Sequence, residues 1–327
     1  MKLQQLRYVW EVAQHGLNVS LTAESLFTAQ PGISKQIRLL EDELGVEIFA
    51  RQGKQLVDVT PIGKVILERA GEVIRQVDSI KRVADEYRDE RTGLLSIATT
   101  HTQARYALPP VVRKFREAYP EVALRMHQGS PAQLVELAAA GEVDFVIATE
   151  GLELFKNLIM LPCYRWYRDI IVPEGHRLAR IGAQRELTLA DVAAEPLATY
   201  VFGFTGRSVL DQAFQAQGLK PNVAFTATDT DVIKTYVRLG FGIGIIASMA
   251  FDPAVDRGLV TVDGSHLFAP SVTHIGFRRG TFMRRFMHEF MAWFAPHLDQ
   301  RTVAEAVARP TGAARAKLFA EMDLPVR

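Results

Sequence analysis

The chain has 327 residues, enough for two or three domains, and 48% of them are hydrophobic, so it can bury substantial cores. Basic and acidic side chains nearly balance, 38 against 37, which excludes a strong overall field that would attract a polyanion. The single cysteine, Cys163, excludes an internal disulfide and a CxxC metal or redox site, and we expect it to be a buried structural thiol.

The first residues lack the uninterrupted apolar core of a signal peptide, and no apolar run is long enough to span a membrane. We therefore expect a cytoplasmic protein. The histidines show no metal-ligand spacing, although His101 is a candidate ligand contact, and no Ser/His/Asp or paired-carboxylate arrangement stands out. The sequence therefore predicts neither a metal centre nor an enzyme.

Residues 3–44 show the apolar spacing of three helices. The first would place Trp10 in a core. The second would bury Leu21 and Phe27 with its other apolar residues, and the Thr22 hydroxyl can cap its first turn. Residues 30–32, Gln-Pro-Gly, would break the chain. The third helix would then bury a stripe of Ile33, Ile37, Leu40 and Leu44.

The polar face of the third helix favours DNA recognition, because Lys and Arg neutralise phosphates while Ser and Gln can bond base edges. An αα-hairpin with a solvated polar face has the same spacing, so both interpretations stay open at this point. A hairpin with a basic tip follows at residues 48–60 and is typical of a wing, which favours DNA binding. The residues expected to contact DNA are Gln30, Pro31, Ser34, Lys35, Gln36 and Arg38, with Arg51 and Lys54 in the wing.

A long helix is predicted from about Pro61 to about Arg91. Its apolar residues alternate spacings of four and three over about three heptads, which favours a dimerising coiled coil. A surface helix lying on a globular core would also show this periodicity. The predicted seam consists of Ile66, Ala70, Val73, Val77, Ile80, Ala84 and Tyr87.

From residue 92 onward, strand-like segments alternate with helical ones, which predicts parallel sheets with α/β connections. The pattern stops near Tyr164 and restarts at Asp169, which suggests two α/β subdomains with crossings near 161–167 and 264–272. The Gly-Phe-Gly-Ile-Gly run at 240–244 follows a helix and leads into a strand, the reverse of a dinucleotide-binding motif, so it is discarded.

The clearest candidate ligand site is the Thr-Thr-His-Thr-Gln run at 99–103, where a strand is followed by a helix. Free N–H groups and the positive end of the helix dipole favour an anion there, although an ordinary threonine cap is the simpler alternative. Three other loops at strand ends and one helix start should converge on the same cleft. The residues expected to bind a ligand in this cleft are Thr100, Thr102, Gln103, Gln128, Thr149, Thr205 and Thr228.

Two groups of motifs resemble a known family. The runs at 30–38, 40–45 and 49–51 are similar to the helix-turn-helix signature of LysR-type transcriptional regulators. The runs at 99–106 and 202–208 resemble the CysB-like branch, which activates sulfate assimilation and cysteine synthesis and includes relatives that govern sulfonate use. The resemblance extends from about Leu3 to about Leu298.

The resemblance implies a winged helix-turn-helix followed by a linker helix and a two-subdomain effector domain like that of periplasmic binding proteins. It implies O-acetylserine or N-acetylserine as inducer, with sulfate or thiosulfate as competing anion, in a cleft around the regions of Thr100, Thr102, Gln103, Thr149 and Thr228. Val201 departs from the threonine expected in relatives, which would remove one donor from the pocket. The implied partners are double-stranded DNA, RNA polymerase and further copies of the chain, as a dimer or tetramer.

The predicted organisation is a DNA-binding domain at 1–60, a coiled-coil linker at 61–91, an effector domain at 92–300 and a tail at 301–327 of no assigned role. Subdomain I would span 92–162 and 268–300, and subdomain II 163–267. A sulfonate-responsive regulator is the nearest alternative. A solute-binding protein would lack the DNA-binding front end, and an anion-using enzyme would need an acid–base or nucleophilic group in the cleft.

Overall fold

A computed structural model describes residues 1–53, 55–88, 92–201, 207–320 and 322–327. The chain divides into two compact units, Met1–Arg88 and Asp89–Arg327. None of the described helices is both long and apolar enough to cross a membrane. Each unit is built around its own hydrophobic core.

The first unit is a winged helix-turn-helix followed by a long helix, as predicted. Its elements are α1 (Leu3–Gln14), α2 (Val19–Ser25), α3 (Gln30–Leu44), β1 (Phe49–Gln52), β2 (Gln55–Val59) and α4 (Pro61–Arg88). The antiparallel pair β1–β2 forms the wing, with a bulge between Ala50 and Arg51. The helices and the wing bury a common core that includes Leu6, Val9, Val12, Ile33, Ile37, Leu40, Ile48, Phe49, Ala70 and Ile74.

Several local predictions in this unit are wrong. Asn18, not Thr22, caps α2: its side-chain oxygen accepts the Leu21 N–H at 3.0 Å. Leu21 is 47% exposed and Phe27 is 99% exposed, so neither belongs to the buried face. Phe27 lies beyond the end of α2, where the helical period that assigned it to the core no longer applies.

The break between α2 and α3 also falls earlier than predicted. Ala29 is the N-cap of α3, so Pro31 lies in the first helical turn, where a missing N–H costs no helical hydrogen bond. Leu44 at the other end of α3 is 40% exposed rather than buried. Trp10 is half-buried and packs at the edge of the core.

Helix α4 presents two apolar faces instead of one seam. Ala70 and Ile74 are buried in the first unit's own core, and Ile66 packs against it. A second face, about 100° around the helix axis, is exposed. It carries Ile62, Val65, Val73 and Ile80. The predicted seam therefore mixes residues from both faces. Its last positions, Ala84 and Tyr87, lie in a part of the helix whose side chains are outside the described set.

The second unit contains two five-stranded sheets, which confirms the predicted two-subdomain fold. The first sheet has the order β4-β3-β5-β12-β6 and the second β11-β7-β10-β8-β9, with strands β3 (Gly93–Thr99), β4 (Val122–Gln128), β5 (Phe145–Ala148), β6 (Leu158–Trp166), β7 (Arg168–Pro173), β8 (Pro196–Tyr200), β9 (Asn222–Ala227), β10 (Ile243–Ala247), β11 (Leu259–Asp263) and β12 (Ser271–Arg278).

Both sheets are mixed rather than parallel. In the first, β12 runs antiparallel to β5 and β6, and in the second, β7 runs antiparallel to β10 and β11. The helices of this unit are α5 (Pro109–Ala118), α6 (Pro131–Ala140), α7 (Arg177–Gly182), α8 (Leu189–Ala193), α9 (Arg207–Ala216), α10 (Thr230–Arg238), α11 (Arg285–Phe294), α12 (Gln300–Ala308) and α13 (Gly312–Phe319).

The chain passes between the sheets twice. Tyr167 alone separates β6 from β7, and residues 264–270 connect β11 to β12. Strand β6 stays in the first sheet to Trp166, four residues beyond the end predicted for that part of subdomain I. Strand β6 was not predicted, because Pro162 interrupts its pattern. The structure accommodates this proline at an irregularity in the pairing with β12.

Candidate functional site

Helix α3 presents a polar face to solvent. Its apolar side is held by Ile33, Ile37 and Leu40 in the core, and the opposite side exposes Gln30, Pro31, Lys35 and Arg38, with Ser34 half-buried beside them. These five residues occupy one side of the first nine residues of the helix, because residues three and four apart share a helix face. The arrangement supplies a cationic and hydrogen-bonding surface of the kind that enters a DNA groove.

The structure separates Gln36 from this face. Two residues correspond to about 200° around a helix, so Gln36 lies on roughly the opposite side from Ser34 and from Arg38. It is half-buried. The pattern of residue types alone did not distinguish the two sides, because glutamine suits both a base contact and a solvated flank.

The wing is held against α3 by a buried carboxylate. Glu41 is 6% exposed and accepts the backbone N–H groups of Ile48 at 2.8 Å and Phe49 at 3.1 Å. Arg51 donates to the same carboxylate. Arg51, predicted to grip DNA, therefore has a structural partner inside the protein. Lys54 lies outside the described residues.

The candidate effector site begins where β3 ends at Thr99. Because β3 runs parallel to β4 and β5, its end lies beside Gln128 and Ile147. The next helical turn begins at His101, earlier than predicted, and becomes a π-helix at Gln103–Ala107 before α5. Such wide turns occur frequently at functional sites.

A chain of polar contacts joins Gln103 to two strands of the same sheet. The Tyr164 hydroxyl donates to the Gln103 side-chain oxygen, and the Gln103 amide donates to Thr273 Oγ1 at 3.2 Å. Thr273 in turn lies 3.1 Å from the Thr149 hydroxyl. Gln103, Tyr164 and Thr273 are all buried. Tyr164 and Thr273 were missed by the sequence analysis, since each lies within a strand and neither precedes a helix.

Thr102 connects the site to the second sheet. It is 1% exposed, and its side chain hydrogen-bonds Tyr200 at the end of β8. The Tyr200 hydroxyl also lies 2.6 Å from Thr230 at the start of α10. Burial raises the pKa of Tyr200 to about 12, although these hydrogen bonds act in the opposite direction. Tyr200 is therefore a neutral hydrogen-bonding group at the boundary of the two subdomains.

The other predicted effector residues are arranged less closely. Gln128 and Thr228 are exposed at the ends of β4 and β9, whereas the cluster around Gln103 is buried. Thr205 lies outside the described residues, and Val201 is half-buried. A cavity of about 720 Å³ is lined by Thr149 together with residues from both subdomains, including Val209, Ser271 and His274.

A second polar network crosses between the subdomains next to the π-helix. The Tyr106 hydroxyl donates to Asp231 at 2.7 Å, and His101 and Arg105 lie 3.5 and 3.4 Å from the same carboxylate. Lys234 bridges Tyr106 and Asp256, and its distance to Asp256 is 2.7 Å.

Two residues of this network, Lys234 and Asp256, were not predicted as site residues, whereas His101 was a candidate ligand contact. Lys234 and Asp256 are both almost fully buried, so each charge has its stabilising partner inside the protein. Burial, followed by the hydrogen bond to Asp231, raises the pKa of Tyr106 well above its usual range. The network therefore ties the π-helical turn, with its candidate effector residues, to helix α10 of the other subdomain.

The crossing itself contains a buried arginine. Arg168 is 1% exposed, stacks on Trp166 at 4.6 Å and donates to Ser271 Oγ at 2.7 Å and to the Ala269 carbonyl at 3.2 Å. Burial lowers its pKa to about 10. It therefore fastens the two crossing segments to each other. Among the described residues, no group of three or more His, Cys, Asp or Glu is arranged to hold a metal ion.

Two family models match most of the chain. Residues 3–64 match the bacterial regulatory helix-turn-helix protein of the lysR family, and residues 88–299 match the LysR substrate binding domain. Together they provide one domain for binding DNA and one for binding a small-molecule effector.

Individual relatives agree with this assignment. The HTH-type transcriptional regulator CysB of Haemophilus influenzae is 50% identical over 327 residues, all of both chains. The regulator SsuR of Burkholderia cenocepacia is 45% identical, over 93% of this chain and 98% of that protein. The solved cofactor-binding domain of the Cbl transcriptional regulator is 40% identical, with a TM-score of 0.63 over 66% of this chain and 93% of that structure.

These relatives are transcriptional regulators and not enzymes, in agreement with the prediction. The chain belongs to the LysR-type family of transcriptional regulators and, within it, to the CysB-like branch.

Proposed function

We propose that this protein regulates genes of sulfur assimilation and cysteine synthesis by binding their promoters in response to a small anionic effector. The observation that carries this proposal is the 50% identity to a CysB regulator along the whole of both chains. The buried cluster of neutral hydroxyl and amide groups at the end of β3 supports it, because such groups bind a small anion without adding charge.

Helix α3 would read the DNA. Gln30, Ser34, Lys35 and Arg38 would contact bases and phosphates from the exposed face, and Pro31 would allow close approach of the helix start. Gln36, Arg51 and Lys54 remain predicted contacts. For Arg51, Nη2 donates to Glu41 and Nη1 to the Phe49 carbonyl, and the side chain is 22% exposed, so a DNA contact would have to share the guanidinium with these partners.

The proposed inducer is O-acetylserine or N-acetylserine, with sulfate or thiosulfate as a competing anion. Thr100 and Thr102 at the start of the helical turn, Gln103, and Thr149 across the sheet would surround the ligand. Gln128 and Thr228 would complete the site from the cleft edges, and Thr205, outside the described residues, remains a predicted contact. Ligand bound beside the Thr102–Tyr200 contact, where the two subdomains meet, would favour one angle between the subdomains over another, provided that its affinity differs between the two arrangements.

The regulator would act as a dimer or tetramer. The exposed apolar face of α4, with Ile62, Val65, Val73 and Ile80, supports pairing with a second copy, since burying it would remove apolar surface from water. Two copies would present two α3 helices to a pseudo-palindromic site. Activation would involve contact with RNA polymerase, and the protein would work in the cytoplasm, where its DNA lies.

The first experiment is a gel shift on a promoter fragment of a sulfur-assimilation gene, with excess competitor DNA and with or without N-acetylserine. We expect a specific complex whose mobility or affinity changes when the acyl-serine is added. If a specific complex forms but does not change with acyl-serine, the protein is a regulator of this promoter and acyl-serine is not its inducer. If no specific complex forms, the proposed target promoter is wrong.

A matched pair of threonine variants tests the effector site. Thr100→Ala should bind the promoter normally and respond to N-acetylserine at least tenfold more weakly, since a buried donor to the anion is lost. Thr235→Ala, an exposed threonine on α10, is the control and should respond like the parent. If Thr100→Ala keeps the full response, Thr100 is not in the site.

The alternative is a regulator of sulfonate use, which the 45% identity to SsuR and the 42% identity to Cbl favour. The same gel shift on a sulfonate-utilisation promoter separates the two. A complex specific to that fragment and indifferent to acyl-serine would support the alternative. A small-anion solute-binding protein would show no specific complex with either fragment.

A further inference from the structure

The tail at residues 301–327 packs onto the effector unit. Helix α12 buries Val303 and Ala306 in the core of the first sheet, and Phe319 and Leu324 are buried after it. The last residues then lie along β6, the edge strand of that sheet. The tail is therefore an integral part of the fold of the effector unit.

Backbone hydrogen bonds fix the last residues to β6. The Arg165 N–H donates to the Pro325 carbonyl at 2.8 Å, and the Arg327 N–H donates to the Arg165 carbonyl at 3.0 Å. Val326 thus pairs with Arg165 as one more parallel bridge at the sheet edge. This pairing satisfies polar groups that an edge strand otherwise exposes, and it directs the side chain of Arg327 inward.

The Arg327 guanidinium contacts one end of the candidate effector turn directly and reaches the other end through Tyr164. It stacks on the Tyr164 ring at 4.6 Å, and Tyr164 donates to Gln103, the first residue of the π-helix. It also donates to the carbonyl of Ala107, the last residue of the π-helix, at 3.1 Å. A further bond to the Phe294 carbonyl at 2.8 Å anchors it to α11.

We infer that Arg327 is a positioning residue for the effector site, acting through Tyr164 on the side-chain amide of Gln103; this inference rests on the proposed function of that site. The Tyr164 hydroxyl donates its hydrogen bond to the Gln103 side-chain oxygen. The amide nitrogen is therefore the end directed at Thr273, and its second hydrogen would donate to an anion bound in the site. A ring that is not held by the guanidinium would permit the amide to turn and present its oxygen, which repels an anion.

The strength of the contact fits this role. A cation stacked on an aromatic face and partly shielded from water contributes on the scale of roughly a fivefold to thirtyfold change in a binding constant. Each hydrogen bond of a π-helix closes a wider turn than in an α-helix, i→i+5 in place of i→i+4. Such a turn is rare, and contacts from outside it help to hold it. Arg327 supplies two of them, at Tyr164 and Ala107.

The test compares Arg327→Ala and Arg327→Lys in the full chain with Arg309→Ala as control. Arg309 is a tail arginine that pairs with Glu305 at 2.6 Å, away from the effector turn. Affinity for sulfate and for N-acetylserine is measured by titration calorimetry. We expect Arg327→Ala to weaken binding about tenfold, Arg327→Lys to restore part of it, and Arg309→Ala to bind within about twofold of the parent.

A double-mutant cycle with Tyr164→Phe separates positioning from general stability. Removing the hydroxyl should cost as much as removing Arg327, and the double variant should cost little more than either alone. Losses that add in full, or an Arg327→Ala variant with parental affinity, would overturn the inference. Equal losses for Arg327→Ala and Arg309→Ala would overturn it as well.

Hydrogen exchange gives a readout that does not need the correct ligand. Peptides covering residues 100–107 should exchange faster in Arg327→Ala than in Arg309→Ala or the parent, with no ligand present. If the parent binds neither probe, the proposed effectors fail while this measurement still decides the inference. Unchanged exchange in that segment would overturn it.

Discussion

The two units of the chain differ in how far apart along the sequence their functional residues lie. In the DNA-binding unit the Glu41–Arg51 pair joins residues only 10 positions apart, and the exposed face of α3 lies within a single helix. In the effector unit the Gln103–Thr273 contact joins residues 170 positions apart. The first site is made by one local segment, whereas the second exists only when distant strands have been brought together.

This difference predicts where damage should appear. A variant in the effector unit should break contacts between subdomains and leave the DNA-binding unit folded. A variant around Glu41 should do the reverse. Calorimetry of the full chain, which follows both units in one sample, is the measurement that compares them.

The largest effect is expected at Lys234. Lys234→Ala leaves the Asp256 carboxylate buried without its ammonium partner, which costs about 3–5 kcal/mol. Lys220→Ala, an exposed lysine of the same unit, is the control and should change stability by less than about 0.5 kcal/mol. A loss at Lys234 no larger than that at Lys220 would show that this network between subdomains does not stabilise the effector unit.

Glu41 should give the next largest effect, this time in the DNA-binding unit. Glu41→Gln replaces a carboxylate that accepts two backbone N–H groups and the Arg51 guanidinium, so we expect a loss of about 2–3 kcal/mol. The wing should shift as a result, and affinity for promoter DNA should fall in the same variant. Glu47→Gln, at an exposed position, should alter neither the melting temperature nor the gel shift.

The same contrast explains what the sequence could predict. Helical spacing identified the buried stripe and polar face of α3, because both are properties of consecutive residues. The strand-to-helix junction at Thr100 was likewise visible as a local pattern. The partners of Gln103 were not, because Tyr164 and Thr273 carry no local mark of a site, and only the sheet pairing brings them together.

A helical period does not continue beyond the element that produces it, and two predictions were wrong for this reason. Phe27 was assigned to the core by its spacing in α2, yet the helix ends before it and the backbone turns. The seam of α4 was read as one face, although its residues divide between the core and an exposed face. The tail gave no pattern at all, because Phe319, Leu324 and Arg327 are anchors spaced among alanines and arginines.

A smaller effect, dependent on pH, is expected at Asp169. It lies directly opposite Asp263 on the paired strands β7 and β11. Burial, followed by repulsion from Asp263, raises the pKa of Asp169 to about 6. Between its ordinary pKa near 4 and this value, the unfolded chain loses the proton that the folded chain keeps, so stability falls as pH rises through this window.

Asp169→Asn removes this titration. The variant should match the parent near pH 4 and exceed it by about 1–2 kcal/mol at pH 7.5, a value reduced for partial exposure of the carboxylate to water. The difference between the variant and the parent, measured in denaturant at several pH values, isolates this group from the histidines. A difference that stays constant from pH 4 to 7.5 would contradict the assigned cause. The expected increase of this difference with pH would show that the effector unit tolerates the destabilising Asp169–Asp263 pair.

The smallest expected effect tests the local geometry of the DNA-binding unit. Phe27 has φ +49°, in the left-handed region, and its side chain is 99% exposed. The N–H groups of Phe27 and Thr28 bond to the carbonyls of Glu24 and Ala23, the pattern of a helix end that usually has glycine at the position of Phe27. Phe27→Gly should relieve backbone strain and lose no burial. Since glycine also gains freedom in the unfolded chain, the net stabilisation should be about 0.5 kcal/mol.

The control is Leu21→Gly, at an exposed helical position of α2, which should instead destabilise by about 1 kcal/mol. If both variants lose stability in thermal unfolding, strain at Phe27 is not significant, and its backbone conformation is set by the turn alone.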